Sequence, residues 1–418
     1  MRAGYGSADL TVPEGTPMGG YLDRPGPSTG HLDPLRVSAI TWFDGERRFA
    51  LATADVICVN EDLAAQARRA LSRPHQPGSR AGGCGLWLAA SHTHAGPETG
   101  CVPGGGPTPE AWLERIVEAT RAAVQQAIDG EKPGEGEVYR GDLHGVGADR
   151  SRPSAAAVVP LDLVAVRDAG RLAGVLVVLP VHPTVLPAAN RLASADLVGA
   201  VRRSLQTRLG PAVWVVVATG AAGDISTRHT RNGQDTAELD RLGAIVADRC
   251  LELLQGRPAR AWSATSRISW SSRRVTLARA NAPADLATLT TAFEQAQASG
   301  DPVATRLARS RLEGVHSRTG GIAPIGADVN VARLGDLALV GLPGEPFLAV
   351  GESIAEERRG PDAEGRPTVV LGYVNGYPGY LPTIDAYERT EYEVLASQVA
   401  PGSAELLAET ALHLLEEM

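Results

Sequence analysis

The apolar run Leu86-Trp87-Leu88-Ala89-Ala90 ends abruptly in Ser91-His92-Thr93-His94-Ala95-Gly96-Pro97. Such a run reads as a buried strand, so the chain must build a sheet with this segment inside it. Residues two apart on an extended chain share a face, so His92 and His94 are expected to aim at one place, just before a Gly/Pro turn. Two converging imidazoles can hold a transition metal. The plainer reading of a bare His-x-His is one structural histidine and one facing solvent.

Around this strand the pattern alternates. Strands are expected at 37–43 and 48–55, joined at Asp44-Gly45, a hairpin signal. Further strands read at 137–140, 161–166, 172–179, 213–218, 329–334, 337–341 and 368–373, and the stretch 263–277 reads as paired strands around Ser271-Ser272. Helices read at 61–71, 108–129, 197–209, 238–254, 284–299, 302–313, 345–357 and 404–417, with Thr108 able to cap its helix and Pro109 suited to the first turn. The alternation implies an α/β class, and the hairpins imply a mixed β-sheet core with flanking helices. The candidate chemistry lies on both sides of a helical insertion at about 281–315. One catalytic domain over 1–418 is therefore the simpler organisation.

Composition removes several function classes. The 418 residues are 43% hydrophobic and 21% charged, as in a folded globular protein. A formal charge of −8 with scattered basic residues argues against a nucleic-acid partner. No apolar stretch reaches the roughly 18–20 residues of a membrane span, so stable membrane insertion is not expected. The start of the chain lacks the apolar core of a secretory signal. The four cysteines show no Cys-x-x-Cys pairing, and Cys58 reads as a small buried hydrophobe. Together these features point to a reducing, cytoplasmic home, where a Cys84–Cys101 bridge is not expected.

Four more places carry chemistry-bearing residues. His182 ends the apolar run before Pro183-Thr184; alone, it reads as a core histidine bonded to a carbonyl. Gly220-Ala221-Ala222-Gly223-Asp224-Ile225-Ser226 follows a strand, and its serine can act as nucleophile, base or donor, or the segment is only a turn with Asp224 bonded locally. Glu345 follows a strand at an expected helix start, where it is a metal ligand or only a charge favoured by the helix dipole. Tyr373, Tyr377, Tyr380, Tyr387 and Tyr392 crowd into 20 residues of a chain with eight tyrosines, which suggests a loop presenting phenols. Gly26-Pro27-Ser28-Thr29-Gly30 matches Gly-x-Ser-x-Gly but lacks the strand and helix a nucleophile elbow needs.

In this order the segments resemble the neutral (non-lysosomal) ceramidase family of zinc amidases. The resemblance rests on His92 to Pro97, Val181-His182, Gly223 to Ser226, Pro343-Gly344-Glu345, Gly372 to Tyr380 and Glu391-Tyr392-Glu393, with Ala8 to Thr11, Met18 to Tyr21 and Gly30-His31 near the start. It implies that His92, His182, Glu345 and Tyr380 ligate Zn²⁺, and that His94 faces the substrate. Strand geometry alone does not choose between the two histidines. It implies further that Ser226 is the catalytic serine, with Arg150 and Tyr392 as polar partners. Zinc with an open position lowers the pKa of water to about 7 and polarises a carbonyl, and His94, Tyr392 and Arg150 can supply oxyanion donors. Whether Ser226 attacks or orients water stays open.

The chain departs from the family at Ser226-Thr227-Arg228, where the family has Ser-Pro-Asn, and in lacking its secretion signal and C-terminal β-sandwich. Aromatic content is only 4%. These departures favour a small-molecule amide, linear N-acyl or cyclic, over a long-chain ceramide. Ceramide deacylation, amide or ring formation by the same zinc site in reverse, and a non-catalytic binding protein on the same fold are the alternatives. Arg228, His229 and Arg231 are either recognition groups for an acidic substrate or a solvated loop. The oligomeric state is not readable from these features.

Overall fold

The mixed sheet is divided among three larger sheets, each covered by its own pair of helices. A computed structural model describes residues 1–72, 84–102, 104–152, 157–262, 267–280, 286–301, 304–305, 307–309, 312, 324–357, 366–389 and 391–418. The main elements are β1 (Arg2–Leu10), β2 (Leu35–Phe43), β3 (Arg48–Ala54), α1 (Glu61–Ser72), β4 (Cys84–Ala90), α2 (Glu110–Asp129), β5 (Glu135–His144), β6 (Val158–Asp168), β7 (Arg171–Leu179), α3 (Asp196–Leu209), β8 (Trp214–Thr219) and α4 (Thr236–Gln255). They continue with β9 (Ile268–Leu277), α5 (Leu286–Ser299), β10 (Ile325–Leu334), β11 (Leu337–Gly341), α6 (Leu348–Glu357), β12 (Thr368–Leu371) and α7 (Ser403–Glu416). The first sheet runs β4-β3-β2-β1 with Lys132–Pro133 outside β1; the second runs β8-β7-β6-β5 with Arg260–Trp262 at its edge; the third runs β9-β10-β11-β12.

Period-two alternation explains the continuous apolar runs. Trp87, Leu176, Val178, Val216, Leu337, Leu339 and Val369 point into one core shared by all three sheets. Their neighbours point outward to separate cores. Leu86 and Leu88 meet Ile116 and Val124 of α2; Val175 and Val177 meet Leu197, Val201 and Val246 of α3 and α4; Val329, Val331 and Val340 meet Ile354 and Leu407 of α6 and α7. Both faces of each sheet are therefore buried, which demands apolar residues at successive positions. Truncating Trp87 to alanine would open a void in the shared core at a cost of about 3–5 kcal/mol.

Each sheet contains one parallel pair: β3 with β4 (Ala54↔Ala90), β7 with β8 (Leu179↔Thr219) and β11 with β12 (Gly341↔Leu371). Parallel strands end side by side, and here the three sets of carboxyl ends meet. Ala90 N donates to Tyr373 O (3.1 Å), Thr219 Oγ1 to Ser91 O (2.8 Å) and Gly372 N to Thr219 O (3.1 Å).

Several local expectations are corrected. The stretch read as paired strands contains one strand, β9, which runs straight through Ser271-Ser272 because both serines find ladder partners, Val331 and Asn330, on β10. Thr108 does not cap α2: Pro109 precedes the helix, and Thr108 Oγ1 donates instead to Asp62 Oδ1 (2.8 Å). Glu345 lies outside the expected helix, because Glu345–Pro346 pairs in parallel with Tyr380–Leu381 and α6 begins at Leu348. Asp224 reaches beyond its own turn: besides its own backbone N–H, its Oδ1 accepts from Leu348 N (2.7 Å). Of the segment read as an insertion, α5 is described and has no buried residue, and half of 302–313 lies outside the described residues. All four cysteines are free thiols. No helix among the described residues is long and apolar enough to cross a membrane.

Candidate metal centre

His92, His182 and Glu345 follow β4, β7 and β11, one from each parallel pair, and converge. Glu345 Oε2 lies 2.9 Å from His182 Nε2 and 3.4 Å from His92 Nε2. The three side chains are 1%, 0% and 2% exposed, so water cannot keep them apart. The partner strand of each pair holds the ligand in place. Ile57 O, after β3, lies 2.6 Å from His92 Nδ1; Ala222 O, after β8, lies 2.6 Å from His182 Nδ1; the Tyr377 hydroxyl, after β12, donates to Glu345 Oε1.

These contacts fix the protons. A carbonyl oxygen only accepts, so both Nδ1 atoms carry hydrogen, which leaves each Nε2 as the atom that can offer a lone pair to a metal. Burial, helped by Arg150, pushes the His182 imidazole down to about 4, which keeps it neutral. Burial works against the Glu345 charge, and neither Glu345 Oε2 nor His182 Nε2 finds a hydrogen-bond partner. Two nitrogen lone pairs and one carboxylate oxygen thus face a single buried point. A cation satisfies all three, and the donor set of two imidazoles and a carboxylate suits zinc or a neighbouring transition metal. Histidines whose second nitrogen donates to a backbone carbonyl are the usual form of metal-ligating histidine.

The extended-strand argument for His92 and His94 fails, although the rings do meet. β4 stops at Ala90, and His92 has a left-handed φ of 62°. A turn, not strand alternation, brings His94 Nε2 to 3.3 Å from His92 Nε2. The ligating nitrogens of His92, His94 and His182 all lie within 4.8 Å of one another. His94 differs from the other two in having no partner for Nδ1 and in being half-buried. Burial, with His92 and His182 beside it, holds its pKa well below the ordinary value. Gly20 makes room for it: with φ of 91°, a Cβ there would sit 2.5 Å from His94 Cγ.

The remaining expected residues gather around these three. The Tyr380 ring stacks 6.5 Å from His182, Arg150 lies over the Tyr380 ring at 5.2 Å, and Tyr392 meets Tyr380 edge-on at 6.3 Å. Arg150 is anchored by Glu393 Oε1 (2.6 Å) and donates to Gly223 O. Ser226 is 3% exposed, forms a backbone bridge with His182, and accepts at Oγ from Arg228 N (3.3 Å). His94 and Tyr380 are half-buried, so the approach to the centre lies on their side.

Compared with protein-family models and with curated proteins, the sequence finds no match. Solved structures do match. The neutral ceramidase of Pseudomonas aeruginosa is 21% identical with a TM-score of 0.79, over 100% of this chain and 75% of that one. A ceramidase complexed with C2 is 20% identical with the same TM-score and coverage. The chain has the fold of the neutral ceramidases. Within this neutral-ceramidase fold, three contributors escaped sequence reasoning: Tyr377, which bonds Glu345; Tyr373, whose ring stacks on His92 at 4.3 Å; and Glu393, which anchors Arg150. The tyrosine crowding marked the first two as a group but assigned neither a partner.

Proposed function

We propose that this chain is a zinc-dependent amidohydrolase, acting as one catalytic domain on a linear N-acyl or cyclic amide. The observation that carries the reading is the convergence of His92 Nε2, His182 Nε2 and Glu345 Oε2 on one buried point, with both imidazole protons locked away on carbonyls. Tyr380 completes the ligand set in this reading. A zinc ion there supplies Lewis-acid polarisation of the scissile carbonyl and lowers the pKa of water towards about 7.

The chain's own groups do the rest. His94 is neutral, lacks the carbonyl lock of the other two histidines and sits on the approach side, so it is suited to take a proton and pass it to the departing amine. The Ser226 hydroxyl, beside His182, orients the attacking water. Arg150 and Tyr392 lie beside Tyr380, where they favour negative charge developing on the carbonyl oxygen. Elemental analysis tests the reading. About one zinc per chain, absent from His92→Ala, together with release of acid and amine from N-acyl amides, is expected. No zinc after reconstitution would overturn it.

A second reading, ceramide N-deacylation, is favoured by the fact that the two solved structures named above are ceramidases. Failure to cleave ceramide in detergent, while a short amide is cleaved, removes that reading.

A further inference from the structure

Beside His94, two arginines are held by backbone carbonyls. Arg24 Cζ lies over Tyr21 at 5.2 Å, and Tyr21 meets His94 edge-on at 5.0 Å. His94 N donates to Pro183 O (3.4 Å), which brings the next residue, Thr184, beside the same segment. Arg24 donates to His94 O, Asn190 O and Gly19 O; Arg231 donates to Thr184 O (2.6 Å); Arg228 donates to Arg150 O (3.4 Å). The backbone N–H of Arg228 meets Ser226 Oγ.

The character of these contacts matters more than their number. A carbonyl oxygen positions a guanidinium without neutralising it. Among the described residues, no carboxylate pairs with Arg24 or Arg231. The nearby acids are otherwise engaged: Asp196 accepts from Val185 N and Leu186 N, Glu98 from Gly100 N and Cys101 N, and Glu238 from Arg241 and Asn232 N. Arg24 and Arg231 are half-buried, where charge is screened less than at the open surface. An arginine fork matches carboxylate and phosphate oxygens better than any neutral group.

We propose that Arg24 and Arg231 form an oxyanion subsite next to His94, and that the amide substrate carries a carboxylate or phosphate which docks there. The inference rests on the amidohydrolase reading and adds its substrate class. A bound anion would be held within reach of His94 and Ser226, so its binding would orient the amide as well as retain it.

Four probes test this with the zinc-loaded protein: N-hexanoyl-ethanolamine, its O-phosphate, N-hexanoyl-β-alanine and N-glutaryl-ethylamine. At least one charged probe is expected to exceed the neutral one by about tenfold or more in kcat/KM, the free energy of one charge-assisted contact. Which probe wins identifies the anion and the side of the amide that bears it. Arg231→Gln should collapse that ratio towards one, mainly through KM, and Arg231→Lys should restore part of it. Zinc content and melting temperature confirm that both variants fold. A neutral probe cleaved as well as all three charged ones, or a preference that survives Arg231→Gln and Arg24→Gln, overturns the subsite alone. Cleavage of no amide at all overturns the amidohydrolase reading, and the subsite with it.

Discussion

The Tyr377 hydroxyl donates to Glu345 Oε1 and so turns Oε2 towards His92 and His182. Burial, with Cys101 and Glu345 nearby, pushes the phenol well above its ordinary range, so it stays protonated and must be the donor. Tyr377→Phe removes that orienting bond and little volume. Zinc affinity should fall about 10–100-fold, the usual effect of losing a group that holds a ligand. Competition with a chromophoric chelator measures it; unchanged affinity would show that packing alone aims the carboxylate.

Zinc should stabilise the folded chain measurably. At a free concentration 100 times its Kd, linkage gives about 2.7 kcal/mol, seen as a raised melting temperature. His182→Ala should abolish this shift along with turnover. A variant that still shifts by the same amount with zinc would place the ion elsewhere.

Gly20→Ala adds a methyl 2.5 Å from the His94 ring and imposes a φ of 91° on a residue with a Cβ. His94 has to move, while His92, His182 and Glu345 keep their places. The expected result is full zinc content with kcat lowered about 10–100-fold. Loss of zinc in step with rate would make His94 a ligand rather than a proton carrier.

Ser226→Ala should retain zinc and lose about 10²–10³-fold in kcat, the range for removing one group that acts on the transition state. A full rate would end the role given to this serine.

Asp196 offers a test by pH. It is fully buried, accepts from Val185 N, Leu186 N and Leu197 N, and is pushed by burial up to about 6. An acid with a folded pKa above its unfolded value of about 3.9 contributes stability that is present below the lower value and lost as pH rises through the higher one. The loss between pH 4 and 7 is about 2 kcal/mol. Asp196→Asn tolerates the same left-handed backbone (φ 49°) and cannot titrate. Urea unfolding of both proteins should show a wild-type-minus-variant difference that grows less favourable to wild type across that range. A pH-independent difference would show no such titration.

The architecture was legible wherever burial dictates the pattern. The runs at the heart of β4, β7 and β8 are apolar at successive positions because both faces pack, which is the pattern of a strand buried on both sides. The strand-end histidines were legible for the same reason, since His92 and His182 each follow such a run. Direction was less legible. Left-handed residues at His92, Tyr373 and Asn375 are not chosen by local propensity; they are imposed where segments after different sheets cross. The hydroxyl of Tyr377 and the carbonyls of Ile57 and Ala222 lie far in sequence from the side chains they hold. Nothing within a short window announces such a partner. Ser271-Ser272 misled for a related reason, since its neighbours on β10 override its turn character.

The three candidate ligands come from three sheets, and each is steadied by the segment after the strand beside the one that delivers it. Metal capture is therefore a report on assembly: a half-docked chain holds one imidazole or one carboxylate, never the set. Zinc binding followed in real time during refolding would mark the moment at which all three layers close, and a lesion deep in any one of them would be felt first as a slower uptake of metal.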